Sequence, residues 1–570
     1  MNGPLAEAAT PTGVATGTQT GVSIDARGLS RTVGGGVRVL QDVSLSLRPG
    51  EVVGIVGGSG AGKTTLLEAL AGVAPADRGR VLFDGVDLYS NRDAFRSVLG
   101  YVPQDDIIHL DLPLERTVRY ASRLRLPVGT PAADMDDRVK RALRDLNLSE
   151  RAGTPVGALS GGQRKRASIA VEMLTEPRVF FLDEPTSGLD PATGAELLET
   201  LRGLADRGAT VVFTTHAIED LTRCDRVVFL ATGGRLAFMG TVADALSHFG
   251  AASVAEIYGH LGARAETPPT PSSEVAAAGQ PLAGGPPRAH RRQPGALSQW
   301  AVLTQRTFES LARNRLTLAI LLGSPAMVVV MFAILFNAGA FDLADPSPTS
   351  ILMIIFWITF GAFFFGLTYG LLQIVTERAI LRREHLVGLR LSSYLLSKLA
   401  VLLPFLVIVN VLMLVVLRAL DRLPGADLSA YVSVGLTLTL DALAALTLGL
   451  LASAAVSNAA QATLVLPMLC FPAVLFSGAI LPVHVMADVG AWISTVVPVR
   501  WAFEAVGRDF DVRRLLVEGA SPLGPPLVET YGSAGLEPTV TYWLYLAAFS
   551  VVFFVGAWLA LRQRLASGAR

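Results

Sequence analysis

Apolar positions along this 570-residue chain change their rhythm twice. From residue 22 to about residue 262, short β-branched runs alternate with helical patterns. Val52-Val53-Gly54-Ile55-Val56 is the first such run, and the stretches Val179 to Leu182 and Val211 to Phe213 repeat its texture. Each reads as a strand buried on both faces, as in a parallel sheet covered by helices, and the region reads as a soluble α/β domain. Residues 263–296 break the pattern with Thr-Pro-Pro-Thr-Pro-Ser-Ser and then Gly-Gly-Pro-Pro-Arg. They cannot hold a core and read as a flexible linker, ending in Arg288, Arg291 and Arg292 where an anionic membrane surface would lie. Trp300, Leu303, Thr307 and Leu311 then recur at helical spacing, flanked by Arg306, Arg313 and Arg315. This predicts an amphipathic interfacial helix over 297–315.

Six apolar segments follow within 316–562, at about 316–338, 351–374, 394–417, 431–456, 461–481 and 542–561. Each is near the ~20 residues a helix needs to cross ~30 Å of hydrocarbon. The short loop 375–392 carries Arg378, Arg382, Arg383 and Arg390, which places it in the cytoplasm; the loop 339–350 has Asp342 and Asp345 but no Lys or Arg, which places it outside. Six spans then put both termini inside, in keeping with Arg562, Arg564 and Arg570 around the tail 563–570. Residues 482–541 form a long external segment whose apolar start (Val483, Val485, Met486, Trp492) predicts a re-entrant or interfacial piece.

Composition agrees with a chain that is half soluble and half membrane. Hydrophobic residues make up 51% and charged residues 17%, against ~25% charged in soluble domains, and the mean hydropathy is +0.47. Forty-eight basic and forty-eight acidic residues leave no net charge, so the footprint of a nucleic-acid binder is missing. Cys224 and Cys470 fall in different compartments, which argues against a disulfide framework. Residues 1–21, rich in Ala, Thr, Gly and Pro, read as a disordered tail and not as a secretory signal.

The chemistry sits in the first half. Gly57-Gly58-Ser59-Gly60-Ala61-Gly62-Lys63-Thr64, with Thr65 next, fits G-x-x-x-x-G-K-[ST] between a strand and a helix. Glycines let such a loop wrap phosphate with its own N–H groups, and the helix N-terminus adds positive potential. Lys63 would reach the β- and γ-phosphates, and the Thr64 hydroxyl would ligate Mg²⁺. Phe180-Phe181-Leu182-Asp183-Glu184 supplies a strand-end Asp183 for the Mg²⁺ shell and Glu184 to orient or deprotonate water. Gln104 and His216, each near the end of an apolar run, would mean little individually.

Leu159 to Arg166 reads Leu-Ser-Gly-Gly-Gln-Arg-Lys-Arg, and Pro185-Thr186-Ser187-Gly188-Leu189-Asp190 follows the acidic pair. Together with the phosphate loop, these stretches resemble the ATP-binding cassette (ABC) family. The resemblance implies an α/β P-loop ATPase domain with a helical subdomain, followed by an all-α, six-helix membrane domain. It implies ATP and Mg²⁺ as cofactors, with Gln104 sensing Mg²⁺ and linking to the membrane domain and His216 contacting the γ-phosphate. Ser160, Gly161, Gly162 and Gln163 would face the nucleotide of a partner subunit. With one cassette and no internal repeat, the chain is expected to pair, most simply with a second copy about a two-fold axis, or else with a related half-transporter. The stretch Ser30-Arg31-Thr32-Val33-Gly34 has no aromatic residue to stack on adenine, so the base would lie on an aliphatic surface such as Val33, and preference for ATP over GTP stays open.

Cassette first and membrane domain second is the order of the G subfamily of half-transporters and their bacterial ABC-2 relatives. Three further stretches resemble that branch: 233–240 (Gly-Gly-Arg-Leu-Ala-Phe-Met-Gly), 377–384 with Gly388-Leu389, and Phe476-Ser477-Gly478 with Pro498 to Glu504. The charges of 377–384 would lace a helix with i,i+4 pairs. They read either as a solvated positive-inside loop or, by resemblance, as a coupling helix. Asp441 is the one acidic residue inside an expected span, with Asn410 at similar depth as a hydrogen-bond partner; it is either a helix–helix contact or a contact to substrate or proton. Phe356, Trp357, Phe360, Phe363 and Phe364 either line a cavity or face lipid. The expected function is an ATP-driven exporter of hydrophobic or amphipathic molecules (lipid, glycolipid, drug or secondary metabolite) in the plasma membrane. The alternative is a membrane-anchored ATPase that transmits force or signal without moving a substrate.

Overall fold

The computed structural model describes residues 21–96, 98–105, 108–263, 294–531 and 536–567. The expected tail before Gly21, most of the linker with its three arginines, and Arg570 lie outside the described residues.

Two sheets build the N-terminal domain. Strands β1 (Ile24–Val33), β2 (Val37–Leu47), β4 (Arg78–Phe83) and β5 (Val86–Asp87) form an antiparallel sheet in the order β2-β1-β4-β5. The second sheet runs β10 (Arg235–Gly240), β9 (Arg226–Ala231), β3 (Val52–Gly57), β8 (Thr210–Thr214), β7 (Val179–Leu182), β6 (Leu99–Val102), parallel except at the β10 edge. Every residue of β3, β7 and β8 is buried, so their sequences are unbroken apolar runs with no alternation. Helices α3 (Leu114–Arg125), α4 (Ala132–Asp145) and α5 (Gly161–Met173) share a core with the ends of β6, β7 and β8.

The C-terminal half is helical: α9 (Ala296–Arg313), α10 (Arg315–Leu335), α11 (Pro348–Leu371), α12 (Arg378–Leu386), α13 (Leu391–Ala419), α14 (Leu428–Ala455), α15 (Ala459–Leu475) and, after four short helices, α20 (Thr539–Ser567). Among the described residues, five helices are long and apolar enough to cross a membrane. The fifth expected span, 461–481, is the shorter α15 of 17 residues. At 1.5 Å per residue it reaches ~25 Å, less than the ~30 Å of a hydrocarbon core. Pro467 and Pro472 remove two backbone donors from it, and the chain leaves the helix at Phe476.

Helices α11 and α14 make the tightest joint. A Cβ on Gly366 would lie 2.3 Å from the Ala442 carbonyl oxygen, and one on Gly449 would lie 2.5 Å from that of Leu367. Only glycine permits this backbone approach, the way membrane helices associate without a hydrophobic drive. Phe356 and Phe363 are fully buried, and Trp357, Phe360 and Phe364 pack partly buried against the same apolar cores. The aromatic stripe is therefore mainly core rather than a lipid-facing surface. The segment after α15 folds into α16 (Asp488–Thr495), α17 (Pro498–Asp509), α18 (Val512–Glu518) and α19 (Gly524–Tyr531), and α17 buries Val499, Ala502, Phe503 and Val506.

The two halves meet through α9 and α12. The Glu309 carboxylate accepts from Arg116 (2.6 Å) and from the Tyr120 hydroxyl (2.6 Å). Leu112, Tyr120 and Leu124 share a core with Val302, Leu303, Leu381 and Leu389. No two opposite charges of 377–384 stand four residues apart, so the expected i,i+4 lacing has no pairs to form. Glu377 pairs with Lys398 at 2.7 Å, Glu384 pairs with Arg306, and Arg383 donates to the Ser168 hydroxyl at 3.1 Å. Burial gives these three charges partners outside the helix.

Candidate nucleotide site

A sheet whose central strands are parallel gathers its strand ends along one edge. Here β3, β8, β7 and β6 are consecutive neighbours. The phosphate loop follows β3, Thr215-His216 follows β8, Asp183-Glu184 follows β7, and Pro103-Gln104 follows β6. Residues more than a hundred positions apart thus converge at the carboxyl ends of the strands, where open α/β sheets bind ligands.

The loop turns at Gly62, whose φ of 92° and closeness to Val39 (a Cβ would sit 2.4 Å from its carbonyl oxygen) require glycine. Helix α1 (Lys63–Leu70) starts there. The Lys63 ammonium donates to the carbonyls of Gly57 (3.0 Å) and Gly58 (3.1 Å). Burial lowers its pKa, opposed by the nearby carboxylates of Glu184 and Asp183. Ser59, Gly60 and Ala61 complete the loop, and Thr65 lies in the first turn of α1.

Asp183 is 1% exposed, and its Oδ1 accepts from the Thr64 hydroxyl (3.1 Å) and the Thr214 hydroxyl (2.5 Å). Glu184 adopts φ 47°, a left-handed conformation costly for a non-glycine residue. Its N–H donates to the Thr214 hydroxyl at 2.9 Å, which holds the turn. The Glu184 carboxylate lies between the Gln104 amide (3.1 Å) and His216 Nε2 (2.6 Å). The four polar residues expected at strand ends are thus brought into one network.

The stretch after Leu159 is placed differently. Ser160 caps α5 in a capping box: its hydroxyl accepts from the Gln163 N–H (3.3 Å), and the Gln163 side chain accepts from the Ser160 N–H (3.0 Å). Ser160 and Gly161 are exposed, and a Cβ on Gly161 would meet nothing within 4 Å. The turn therefore points open backbone and a hydroxyl outward at a helix N-terminus. Val33, the expected adenine surface, is 37% exposed at the end of β1.

Two contributors escaped the sequence reading. Lys165 lies between Arg164 and Arg166 in the octapeptide and was given no role of its own. In the fold it is buried, and its ammonium donates to the carbonyls of Pro103 (3.1 Å), Gln104 (2.8 Å) and Asp183 (3.2 Å). It ties α5 to the strand ends that carry Gln104 and Glu184. Thr214 is the other, bridging Asp183 and the Glu184 backbone; its hydroxyl at a buried strand end was the only signal.

In the membrane half, Asn410 does not pair with Asp441. The Asn410 amide donates to the Leu438 carbonyl at 3.2 Å, and neither oxygen of Asp441 has a hydrogen-bond partner among the described residues.

Residues 40–187 match the family model described as ABC transporter, and residues 298–507 match that described as ABC-2 type transporter. The chain is 33% identical over 526 residues to an ABC transporter ATP-binding/permease protein of Mycobacterium tuberculosis, covering 88% of this chain and 59% of that protein. It is 34% identical over 222 residues to the Nod factor export ATP-binding protein I of Ralstonia nicotianae, covering 39% of this chain and 68% of that protein. It is also 34% identical over 222 residues to the broad substrate specificity transporter ABCG2 of Bos taurus, covering 37% and 33% of the two chains.

Proposed function

This chain belongs to the ATP-binding cassette transporter family, its ATP-binding domain preceding an ABC-2 type membrane domain, and we propose that it is an ATP-driven exporter of hydrophobic or amphipathic molecules, working as a dimer with two composite ATP sites. The observation that carries this reading is the division of nucleotide-facing groups within one chain. Lys63, Asp183, Glu184, Gln104 and His216 share one edge of the sheet, whereas Ser160 caps α5 and, with Gly161, leaves an open side outward. A second subunit would bring that cap to the nucleotide held by the first. Two relatives are named for Nod factor export and for broad substrate specificity, which supports the export reading.

Within the cycle, Lys63 and the loop amides bind the phosphates, and Glu184, steadied by Gln104 and His216, takes the proton of the attacking water. The Thr64 hydroxyl, the Asp183 carboxylate and the Gln104 amide are hard oxygen donors suited to Mg²⁺, which would neutralise charge on the transferring phosphoryl group. Closure reaches the membrane half through α5, whose Ser168 accepts from Arg383 of α12. The test is ATPase activity and lipid or drug flux in proteoliposomes of the parent and Glu184→Gln. Flux that persists without hydrolysis, or full-rate hydrolysis by a stable monomer, overturns the proposal; hydrolysis that no candidate cargo stimulates favours a force-transmitting ATPase.

A further inference from the structure

A cleft of about 360 Å³ opens where the N-terminal domain, α12 and the end of α20 meet. Its walls mix two chemistries. Phe95, Leu386 and Leu565 contribute apolar surface, and Arg92, Arg96, Arg382, Arg383 and Arg562 contribute guanidinium groups. The wall's carboxylates are Asp93 and Glu172. Glu172 is already engaged, held by Arg125 at 2.6 Å and by Arg383 at 3.8 Å, while Asp93 pairs with Arg96 at 2.9 Å. Arg92 donates to backbone carbonyls of Gly72 and Val73, which carry no charge to offset it. The cations press on one another: burial, and then the neighbouring Arg96, lower the pKa of Arg92. Burial, despite Glu172 and with Arg125 beside it, brings Arg383 down to about 10.

Position adds the second argument. Leu565 ends the apolar stretch Thr539–Leu565, and the Arg562 guanidinium lies 5.4 Å over the Trp558 ring. A Trp and Arg pair at the end of a span marks headgroup depth. The cleft therefore joins a cationic rim to apolar walls at the bilayer surface, the complement of an anionic amphiphile.

We propose that this cleft binds the phosphate headgroup of an anionic phospholipid from the adjoining leaflet. A headgroup there would touch the N-terminal domain, α12 and α20 together, so its occupancy would set how firmly α12 is held in its seat. The site rests on the export reading only for that consequence.

Lipid retention tests the site without nucleotide. The full chain is placed in nanodiscs of phosphatidylcholine with phosphatidylglycerol, and bound lipid is counted by native mass spectrometry. Phosphatidylglycerol should be retained in preference to phosphatidylcholine, and Arg96→Gln/Arg562→Gln should weaken that retention about tenfold or more. Both side chains reach solvent, so the double variant should fold and keep its basal ATPase rate. Arg141→Gln/Arg207→Gln, from a different cleft of the N-terminal domain, should retain lipid like the parent. Equal retention by the parent and the Arg96/Arg562 variant overturns the proposal. So does displacement of the lipid by millimolar inorganic phosphate, which would assign the cleft to a free anion.

Discussion

Asp183 and Asp441 are both carboxylates shut away from solvent, 1% and 0% exposed, and they are treated in opposite ways. Asp183 accepts from two threonine hydroxyls, and the backbone after it is pinned by Lys165 and Thr214. Asp441 receives no hydrogen bond among the described residues, and Asn410 Oδ1 is also without a partner. A buried polar group left unpaired costs several kcal/mol in an apolar medium, and an ionisable one inside a bilayer is a functional candidate by default. At the strand ends, Asp183 and Glu184 are held in one hydrogen-bonded network within one chain. The membrane core keeps a polar group in reserve.

The contrast breaks most severely at Glu184. Glu184→Gln should lower ATP turnover by about 10²- to 10⁴-fold while ATP binding persists, measured by phosphate release and by nucleotide titration. Lys165→Met should come next. It strands three carbonyls, and each buried unsatisfied acceptor costs about 1–3 kcal/mol, so kcat should fall by about ten- to a hundredfold with KM for ATP unchanged. A variant with parental kcat would show that the tie between α5 and the strand ends does not position Glu184. Arg383→Gln removes the donor to Ser168 and should leave basal hydrolysis while reducing cargo-stimulated hydrolysis a few-fold, by about 1 kcal/mol of lost hydrogen bonding. Asp441→Leu sharpens the other side of the comparison. If the carboxylate serves cargo, the variant should assemble normally, melt no lower than the parent and change the ranking of stimulating compounds; loss of folded protein would assign Asp441 to helix packing.

The smallest effect concerns the domain joint. Burial alone would raise the Glu309 pKa, yet the hydrogen bonds from Arg116 and Tyr120 bring it to about 2, below its ordinary 4.5. The ionised pair thus contributes stability above about pH 4.5 and loses it as pH falls toward about 2. Glu309→Gln should flatten the acid limb of the melting profile in that window.

Legibility followed the range of the interactions involved. The phosphate loop and Asp183-Glu184 could be read because each is a local unit, a strand ending in a fixed run of residue types. Gln104 and His216 gained meaning only from resemblance, since single residues at strand ends carry no local signature. Lys165 carried no signal of its own within Arg-Lys-Arg, because its three acceptor carbonyls, just past β6 and β7, are set by the fold. The charges around α12 were legible as helical, but none stands four residues from an opposite charge, and their partners on α5, α9 and α13 lie far away in sequence.

By itself, the sequence determined that half the chain is an α/β nucleotide-binding domain and half is apolar helix, because periodicity, glycine spacing and hydropathy are local properties of the chain. The tertiary structure alone decided which charges are buried, that the aromatic stripe packs inside, and that Asp441 goes without a partner among the described residues. Those outcomes depend on which surfaces meet, and burial and pairing belong to both sides of a contact.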